Sequence, residues 1–410
     1  MINSELLSAI FNRRMLICVF TGFSSGLPLY VIIQLLQVWL RDNQAGLAEI
    51  GLFALVGLPY TVKFLWAPLM DRYTPPFLGR RRGWLLPMQI ACLLLIGLFG
   101  LLDPALSLMT VAYMALALAF FSASQDMVLD AFRREILPDN ELGLGNSIHV
   151  QAYRIAGLVP GSLALILADH LPWALVFWIV AAFMLFGIVM TLVVKEPPKV
   201  AGTPATLQSA VVEPFKEFFT RKGLSSALLI LAFMFFYKVG DSMATALSSV
   251  FYLDLGFSKT EIGVVAKNAG LWSAIIGGLL GGIWMIKLGI NRALWIFGAV
   301  QLVSIFGFAI LAEVGANLWL LAGVIAFEYL GVGLGTAAFV AFIARETDRR
   351  YVATQFALLT ALTALPRTFA NAVTGVIVEY TGWTSFFLLC AFIAVPGMLL
   401  LFKVAPWKQQ

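Results

Sequence analysis

The chain has 410 residues, of which 61% are hydrophobic and only 12% are charged, with a formal net charge of +5. Soluble globular chains carry about 25% charged residues, so this composition excludes an ordinary soluble protein. The basic surplus is not a nucleic-acid-binding signal, because it lies in short loops where it faces anionic lipid headgroups.

Twelve apolar segments follow one another along the chain. An α-helix of about 20 residues crosses a bilayer core of roughly 30 Å, and each segment reaches that length. The sequence therefore predicts an all-α membrane protein with twelve transmembrane helices. We expect these helices at 15–40, 49–70, 83–102, 107–133, 144–168, 173–194, 223–252, 260–286, 291–311, 316–344, 352–378 and 383–403.

The Lys and Arg residues outside these segments fall almost entirely on one side of the predicted membrane. They occupy both terminal stretches and the loops 72–82, 133–134, 195–222, 287–292 and 345–350. Arg41 and Lys259 are the exceptions on the opposite side. The positive-inside rule then predicts that both termini are cytoplasmic.

The longest polar interruption divides the helices six and six. It predicts an N-terminal six-helix bundle at 1–194, a cytoplasmic linker at 195–222 and a C-terminal six-helix bundle at 223–410. The later part of the linker is amphipathic and is expected to lie on the membrane surface.

Two short echoes relate the halves. Glu49-Ile50-Gly51 opens the second segment and Glu261-Ile262-Gly263 opens the eighth, where Ser258 and Glu261 fit a helix capping box. Arg154 and Arg367 lie near mid-depth in the fifth and eleventh segments. Two repeated halves are typical of a transporter that alternates access around a site at their interface.

The loop after the second segment carries a family signature. Asp71-Arg72 and, after an inserted Tyr-Thr-Pro-Pro-Phe-Leu, Gly79-Arg80-Arg81 resemble the G-x-x-x-D-R-x-G-R-R motif of the major facilitator superfamily. Ala67 replaces the usual first glycine. The resemblance implies the fold of that superfamily, and it implies that Asp71, Arg72, Arg80 and Arg81 gate the cytoplasmic side, with Asp130 as the partner of Arg72.

Several separated motifs are similar to those of the AmpG-like muropeptide permeases. They are Phe64–Phe77 with Gly79–Trp84, Ser122–Asp126 with Asp130, Tyr237–Asp241 and Ala353–Leu359. The resemblance implies an inner-membrane importer of a Gram-negative bacterium, driven by the proton gradient and acting in peptidoglycan recycling and β-lactamase induction. Its substrate would be N-acetylglucosaminyl-1,6-anhydro-N-acetylmuramic acid with or without peptide. A permease for another anionic solute, such as a siderophore, is the alternative, and the superfamily implies a monomer.

Ionisable residues inside apolar segments are candidate site residues, because a charge in hydrocarbon costs about 2.5–3.5 kcal/mol on insertion scales. Among the ionisable residues inside the apolar segments, cations outnumber acids, which favours an anionic substrate. Arg154 and Arg367 suit bidentate carboxylate binding. The remaining candidates for substrate binding are Lys63, Lys238, Gln34, Gln37, Gln125, Tyr153 and Trp272.

Asp126, Asp241 and Glu328 are the candidates for proton coupling, because burial favours the protonated form of a carboxylate. Structural pairing is the competing interpretation for each acid. Asp126 lies at the depth of Lys63, Asp241 at the depth of Lys267, and Glu328 is placed to neutralise Arg367 when no substrate is bound. Asp130 has Arg134 as an alternative partner one turn away.

Neither a metal site nor an enzyme active site is predicted. Cys18, Cys92 and Cys390 lie in apolar segments without C-x-x-C spacing, and no nucleophile–base set is visible. We expect no cofactor and no catalytic residue.

Overall fold

The computed structural model describes residues 12–66, 70, 73–138, 141–197, 213–347 and 352–407. These residues form helices joined by short connections. The first six crossings are α1 to α6, at Arg13–Asp42, Leu47–Val62, Arg80–Phe99, Pro104–Ile136, Leu144–Ala168 and Trp173–Val193.

Helix α2 is broken rather than continuous. An α-helical turn at Leu47–Leu52 gives way to a 3₁₀ segment at Phe53–Gly57, then to Leu58–Val62 and a second 3₁₀ turn at Lys63–Leu65. Pro59 stands in the first turn of Leu58–Val62, where its missing N–H is tolerated. The prediction of a regular helix over 49–70 was therefore wrong in its interior.

A linker helix at Glu213–Lys222 precedes the second set of crossings, as its amphipathic pattern predicted. Phe218 is buried in the hydrophobic core of the helices that follow, and Lys222 forms an ion pair with Glu346 at 2.6 Å. Helix α7 is Leu224–Asp254 and helix α10 is Leu318–Glu346.

Two positive-φ glycines separate helices that otherwise run on without a loop. Lys259–Val314 spans 56 residues, far more than a bilayer needs, and Gly289 at φ 72° divides it into α8 (259–288) and α9 (290–314). Gly382 at φ 76° likewise divides Thr374–Val404. Together with Val352–Ala372 this gives α11 (352–381) and α12 (383–404).

The predicted all-helical fold with twelve crossings is confirmed. By length and hydropathy alone, nine helices of the described chain are long enough to cross a membrane, and Leu47–Val62 is a shorter apolar helix. This shorter helix and the two glycine breaks together account for the difference between nine and twelve.

The chain separates into two compact units. One comprises residues 1–45 and 56–203, and the other comprises 46–55 and 204–410. The boundary at residue 56, where α2 passes from the second unit to the first, falls inside the 3₁₀ segment of this helix. Within the second unit, the Ala48 N–H donates to Glu379 Oε1 at 2.9 Å, so the start of α2 packs on α11.

Three helices of the described chain contain a π-helical turn, in which the hydrogen bonds reach one residue farther than in an α-helix. These turns lie at Val31–Leu35 in α1, Val159–Leu163 in α5 and Ile262–Ala266 in α8. Each lies beside or around a polar residue of interest: Gln34, Arg154 and Lys267.

Glycines bring the helix backbones together in both units. A Cβ on Gly26 of α1 would lie 2.4 Å from the Tyr153 carbonyl oxygen of α5, and one on Gly277 of α8 would lie 2.4 Å from that of Leu330 of α10. Gly278, next to Gly277, has nothing within 4 Å. Of two overlapping G-x-x-x-G pairs in α8, the pair that begins at Gly277 therefore forms the close contact.

Candidate functional site

In the first unit, Asp126 of α4 binds the ammonium of Lys63 and the hydroxyl of Ser25. Lys63 lies in the second 3₁₀ turn of α2, so the break in that helix presents the lysine to α4. The side chains of Lys63 and Asp126 are 28% and 16% exposed. The pairing anticipated from their common depth is thus present, and Ser25 is an additional partner.

The candidate glutamines of this unit are Gln125 on α4 and Gln34 and Gln37 on α1. Gln125 Nε2 donates to the Ser24 carbonyl oxygen at 2.7 Å. The Oε1 atoms of Gln125 and Gln34 are buried without a hydrogen-bond partner among the described residues, and Gln37 is buried one turn after Gln34. Gln34 lies inside the π-helical turn of α1.

Arg154 lies on α5, just before the π-helical turn of that helix. Within the described part of the chain, no carboxylate lies within 4.0 Å of its guanidinium. The neighbouring Tyr153 packs edge-on against Tyr30, with ring centroids 5.7 Å apart. Tyr153 therefore helps to join α1 and α5, whereas Arg154 is a partly buried cation that no acid of the described residues neutralises.

The arginines at the start of α3 are fixed by acids of the same unit. Arg80 and Arg81 both reach Glu135 Oε1, at 2.7 and 2.8 Å. Glu196 accepts the backbone N–H groups of Arg81 and Arg82 at 2.7 and 3.1 Å. This network ties the start of α3 to the ends of α4 and α6.

Asp130 lies near the C-terminal end of α4, and Arg72, one of its two anticipated partners, lies outside the described residues. Arg133, rather than Arg134, binds it at 2.8 Å, because an i,i+3 pair also meets on a helix surface. Arg133 additionally binds Asn146 at 2.9 Å. Asp71 and Arg72, the other two predicted gating residues, lie outside the described residues.

In the second unit, Asp241 of α7 binds Lys238 at 2.6 Å and accepts a hydrogen bond from Gln301 of α9. Lys238 and Asp241 are both almost fully buried. The expected pairing of Asp241 with Lys267 was wrong, because the lysine one turn away on the same helix is the nearer cation. A small cavity lined by Tyr237, Gly298 and Ala394 adjoins Asp241 and Gln301.

Glu328 of α10 is completely buried, and Ser304 of α9 donates to its Oε2 atom at 2.5 Å. Its other oxygen has no hydrogen-bond partner among the described residues. Arg367 Nε instead donates to the Thr363 carbonyl oxygen of its own helix at 3.3 Å. The idea that Glu328 neutralises Arg367 was therefore wrong, and both groups lack an ionic partner in the described chain.

Lys267 of α8 donates to Ser249 of α7 at 2.7 Å. Trp272, a candidate for stacking on a sugar, is 54% exposed.

Some polar residues of these clusters were not predicted from the sequence. Ser25, Ser249, Gln301 and Ser304 each bind a charged candidate. Gln301 offered a signal, since it is a single amide within an otherwise apolar stretch of α9. The serines offered none, because a hydroxyl in a membrane helix usually bonds to its own backbone.

Several curated proteins are similar in sequence to nearly the whole of this chain. The chain is 54% identical to an uncharacterized protein of Haemophilus influenzae, over 100% of this chain and 98% of the relative. It is 44% identical to the anhydromuropeptide permease of Escherichia coli, over 97% of this chain and 81% of the relative. It is 32% identical to "Putative transporter AmpG 4" of Rickettsia felis, over 97% and 98% of the two chains.

Solved transporter structures share the fold at low sequence identity. The D-xylose-proton symporter matches with a TM-score of 0.74 at 13% identity, over 96% of this chain and 98% of that structure. The nucleoside transporter NupG matches with a TM-score of 0.73 at 12% identity, over 97% and 100%. The sequence pattern of the Major Facilitator Superfamily matches residues 15–367 and 235–409. The chain therefore belongs to the major facilitator superfamily, within its AmpG-like permeases.

Proposed function

We propose that this chain is a proton-coupled secondary transporter that imports anhydromuropeptides for peptidoglycan recycling. Its substrate would be N-acetylglucosaminyl-1,6-anhydro-N-acetylmuramic acid, with or without peptide. The observation that carries the proposal is the 44% identity to the Escherichia coli anhydromuropeptide permease over 97% of this chain. That identity favours a muropeptide over the siderophore alternative, and it favours transport over catalysis.

The charges inside the membrane support an anionic substrate. Each unit carries a partly buried arginine, Arg154 or Arg367, with no carboxylate partner in the described chain. An unneutralised guanidinium among apolar helices is stabilised when an anion binds, and its planar fork matches a carboxylate. We propose that Arg154 and Arg367 each contribute to binding the carboxylates of the muropeptide, and that Gln34, Gln37, Tyr153 and Trp272 contact its sugars.

The three candidate proton carriers differ in how they are neutralised. Asp126 and Asp241 are each paired with a lysine, so each has a counter-ion. Glu328 has no cation within 4.0 Å among the described residues, only the hydroxyl of Ser304. A buried carboxylate without a counter-ion is costly to ionise. We therefore rank Glu328 first as the group that takes up the transported proton.

The remaining parts of the proposal follow from the superfamily and the charge distribution. The protein would work as a monomer in the inner membrane with both termini cytoplasmic, as two six-helix bundles at 1–194 and 223–410 joined by the linker 195–222. Asp71 and Arg72 would gate the cytoplasmic side, with Asp130, Arg80 and Arg81 as the supporting charges.

Uptake of the radiolabelled peptide-free disaccharide into proteoliposomes tests the proposal. Accumulation above the external concentration is expected with an inward proton gradient, and only equilibration is expected after a protonophore collapses it. Vesicles that contain folded protein and accumulate no disaccharide under a gradient would refute the muropeptide substrate. Accumulation that is unaffected by the protonophore would refute proton coupling alone.

A further inference from the structure

Polar side chains follow one face of α7 toward its C-terminal end. Lys238, Asp241, Thr245 and Ser249 are spaced three or four residues apart, which aligns them on a helix, and Ser242 lies beside Asp241. Ser242 exchanges hydrogen bonds with Asn371 of α11, and the Thr245 hydroxyl donates to the Asp241 carbonyl oxygen. The face is therefore a polar track through an otherwise apolar helix.

Lys267 stands at the far end of this track, beside Ser249. Its Nζ atom lies 2.7 Å from Ser249 Oγ, and Ser249 is 2% exposed. The π-helical turn Ile262–Ala266 ends directly before Lys267. The contact therefore joins α8 to the track on α7.

This lysine differs from Lys63 and Lys238 in having no acid to neutralise it. Within the described chain no carboxylate lies within 4.0 Å of its Nζ atom, whereas Lys63 and Lys238 bind Asp126 and Asp241. A lysine ammonium carries several N–H donors, and Ser249 accepts from one of them. A half-buried ammonium in a membrane helix with donors to spare is suited to binding an anion.

Two cationic positions of the second unit are thus well separated. Arg367 lies one helical turn before Asn371 of α11, which hydrogen-bonds Ser242, so Arg367 lies near the Lys238 end of the track. Lys267 contacts the other end at Ser249, which lies about 16 Å from Lys238 along α7 at 1.5 Å per helical residue. A disaccharide with one carboxylate does not reach both positions. An attached peptide lengthens the substrate by about 3.4 Å per residue, so four residues add about 14 Å to the reach of the disaccharide.

We infer that Lys267 and Ser249 form a subsite for a carboxylate of the peptide stem of the substrate. The inference rests on the proposed function and extends it, because it makes Lys267 a residue that distinguishes peptide-bearing from peptide-free muropeptides. Lys267 contributes no affinity for the disaccharide itself.

The subsite is tested by comparing the uptake of two substrates into proteoliposomes. Uptake of the radiolabelled peptide-free disaccharide and of its tetrapeptide-bearing form is measured for the wild type, Lys267→Met, Lys267→Arg and Lys287→Met. In Lys267→Met the KM for the tetrapeptide form is expected to rise about tenfold, while that for the disaccharide stays within about twofold. Lys267→Arg keeps the positive charge, so its KM for the tetrapeptide form is expected to lie close to that of the wild type. Lys287 is exposed on the same helix, so Lys287→Met controls for loss of a lysine.

The outcomes separate the subsite from the function on which it rests. A wild type that takes up neither compound refutes the proposed function, and the subsite with it. Normal wild-type uptake together with an unchanged KM in Lys267→Met refutes the subsite alone. An equal rise in KM for both compounds, or a thermal midpoint lowered as far in Lys267→Arg as in Lys267→Met, assigns Lys267 a structural role instead.

Discussion

Ser304 and Glu328 form a hydrogen-bonded pair in which the Ser304 hydroxyl donates to Glu328 Oε2 at 2.5 Å. The other carboxyl oxygen, Oε1, has no partner in the described chain. A carboxylic acid satisfies this arrangement better than a carboxylate does, since a proton on Oε1 removes the uncompensated charge. The pair is therefore suited to gaining and losing one proton as access to it changes.

Glu328→Gln is expected to abolish accumulation driven by the proton gradient. The amide mimics the protonated acid but releases no proton, so the exchange of labelled for unlabelled substrate across the vesicle membrane should persist at a rate within about threefold of the wild type. Glu313→Gln, at the exposed end of α9 where it binds Thr384, is the matched control. Retained accumulation in Glu328→Gln would transfer the coupling role to Asp126 or Asp241.

Arg154→Gln is expected to weaken substrate binding without destabilising the fold. The KM should rise at least tenfold, which corresponds to about 1.4 kcal/mol, because a guanidinium–carboxylate contact is lost. The thermal midpoint should stay close to that of the wild type, since no described acid is left unpaired. Arg13→Gln, an exposed arginine at the start of α1, should leave both quantities unchanged. A large loss of stability in Arg154→Gln would show that Arg154 is a structural cation.

Lys63→Met, unlike Arg154→Gln, is expected to lower the stability of the fold. Removing one member of a buried ion pair leaves the other charge uncompensated, at a cost of about 3–5 kcal/mol. Asp126 keeps only Ser25 as a partner, and its side chain is 16% exposed, so the loss should fall at the low end of that range. Thermal unfolding in detergent measures it.

The double variant Lys63→Met with Asp126→Asn supplies the control for this pair. Because both charges are then absent, most of the lost stability should return. A double variant as unstable as Lys63→Met would mean that packing around Lys63, rather than its charge, holds α2 against α4.

Gly375→Ala is expected to disturb the contact between α11 and the start of α2 within the second unit. A Cβ on Gly375 would lie 1.8 Å from the Leu47 carbonyl oxygen, so the backbones must separate. Overpacking of this kind costs typically about 1–3 kcal/mol, and the thermal midpoint should fall accordingly. Gly57→Ala, where nothing lies within 4 Å, should not lower it. Equal midpoints for the two variants would contradict this contact.

The ion pair between Arg14 and Glu141 predicts a dependence of stability on pH. Arg14 binds both carboxylate oxygens, at 2.5 and 2.7 Å, and this hydrogen bonding holds the pKa of Glu141 below its usual value. A lowered folded-state pKa contributes stability above the unfolded-state pKa and loses it as the pH falls through the folded-state pKa. The difference in thermal midpoint between the wild type and Glu141→Gln should therefore be small but positive at pH 7.

The same difference should disappear at pH values below the lowered pKa of Glu141, where the carboxyl is protonated in both the folded and unfolded states. A midpoint difference that stays constant between pH 7 and pH 3 would assign the effect of Glu141→Gln to something other than this charge.

The helices could be predicted from the sequence because the bilayer imposes one length on every apolar segment. Their ends also followed from local chemistry: Ser258 Oγ accepts from the Glu261 N–H at 3.1 Å, and Glu261 Oε2 accepts from the Ser258 N–H at 2.9 Å, as the capping box predicted. The 3₁₀ and π-helical segments could not be predicted, because their side chains suit a regular α-helix equally well.

The pairing of charges was predictable only in part. Depth along the helices brought Lys63 and Asp126 together correctly. Depth alone led us to pair Asp241 with Lys267, although Lys238 lies one turn away on the same helix. It likewise suggested Arg134 as the partner of Asp130, although Arg133 is as near. Helical rotation decides such choices, and depth carries no information about it.

The π-helical turn before Lys267 has a consequence for how this helix tolerates length changes. It accommodates one more residue than a regular turn, and each residue rotates an α-helix by about 100°. Deleting one residue within Ile262–Ala266 would convert the turn to an ordinary one while keeping the helix continuous. Because the turn already absorbs the extra residue, residues before the deletion would keep their direction relative to Lys267, whereas the same deletion in a regular turn would rotate them by about 100°. Single-residue deletions, normally confined to loops, should therefore be tolerated at this position of a membrane helix.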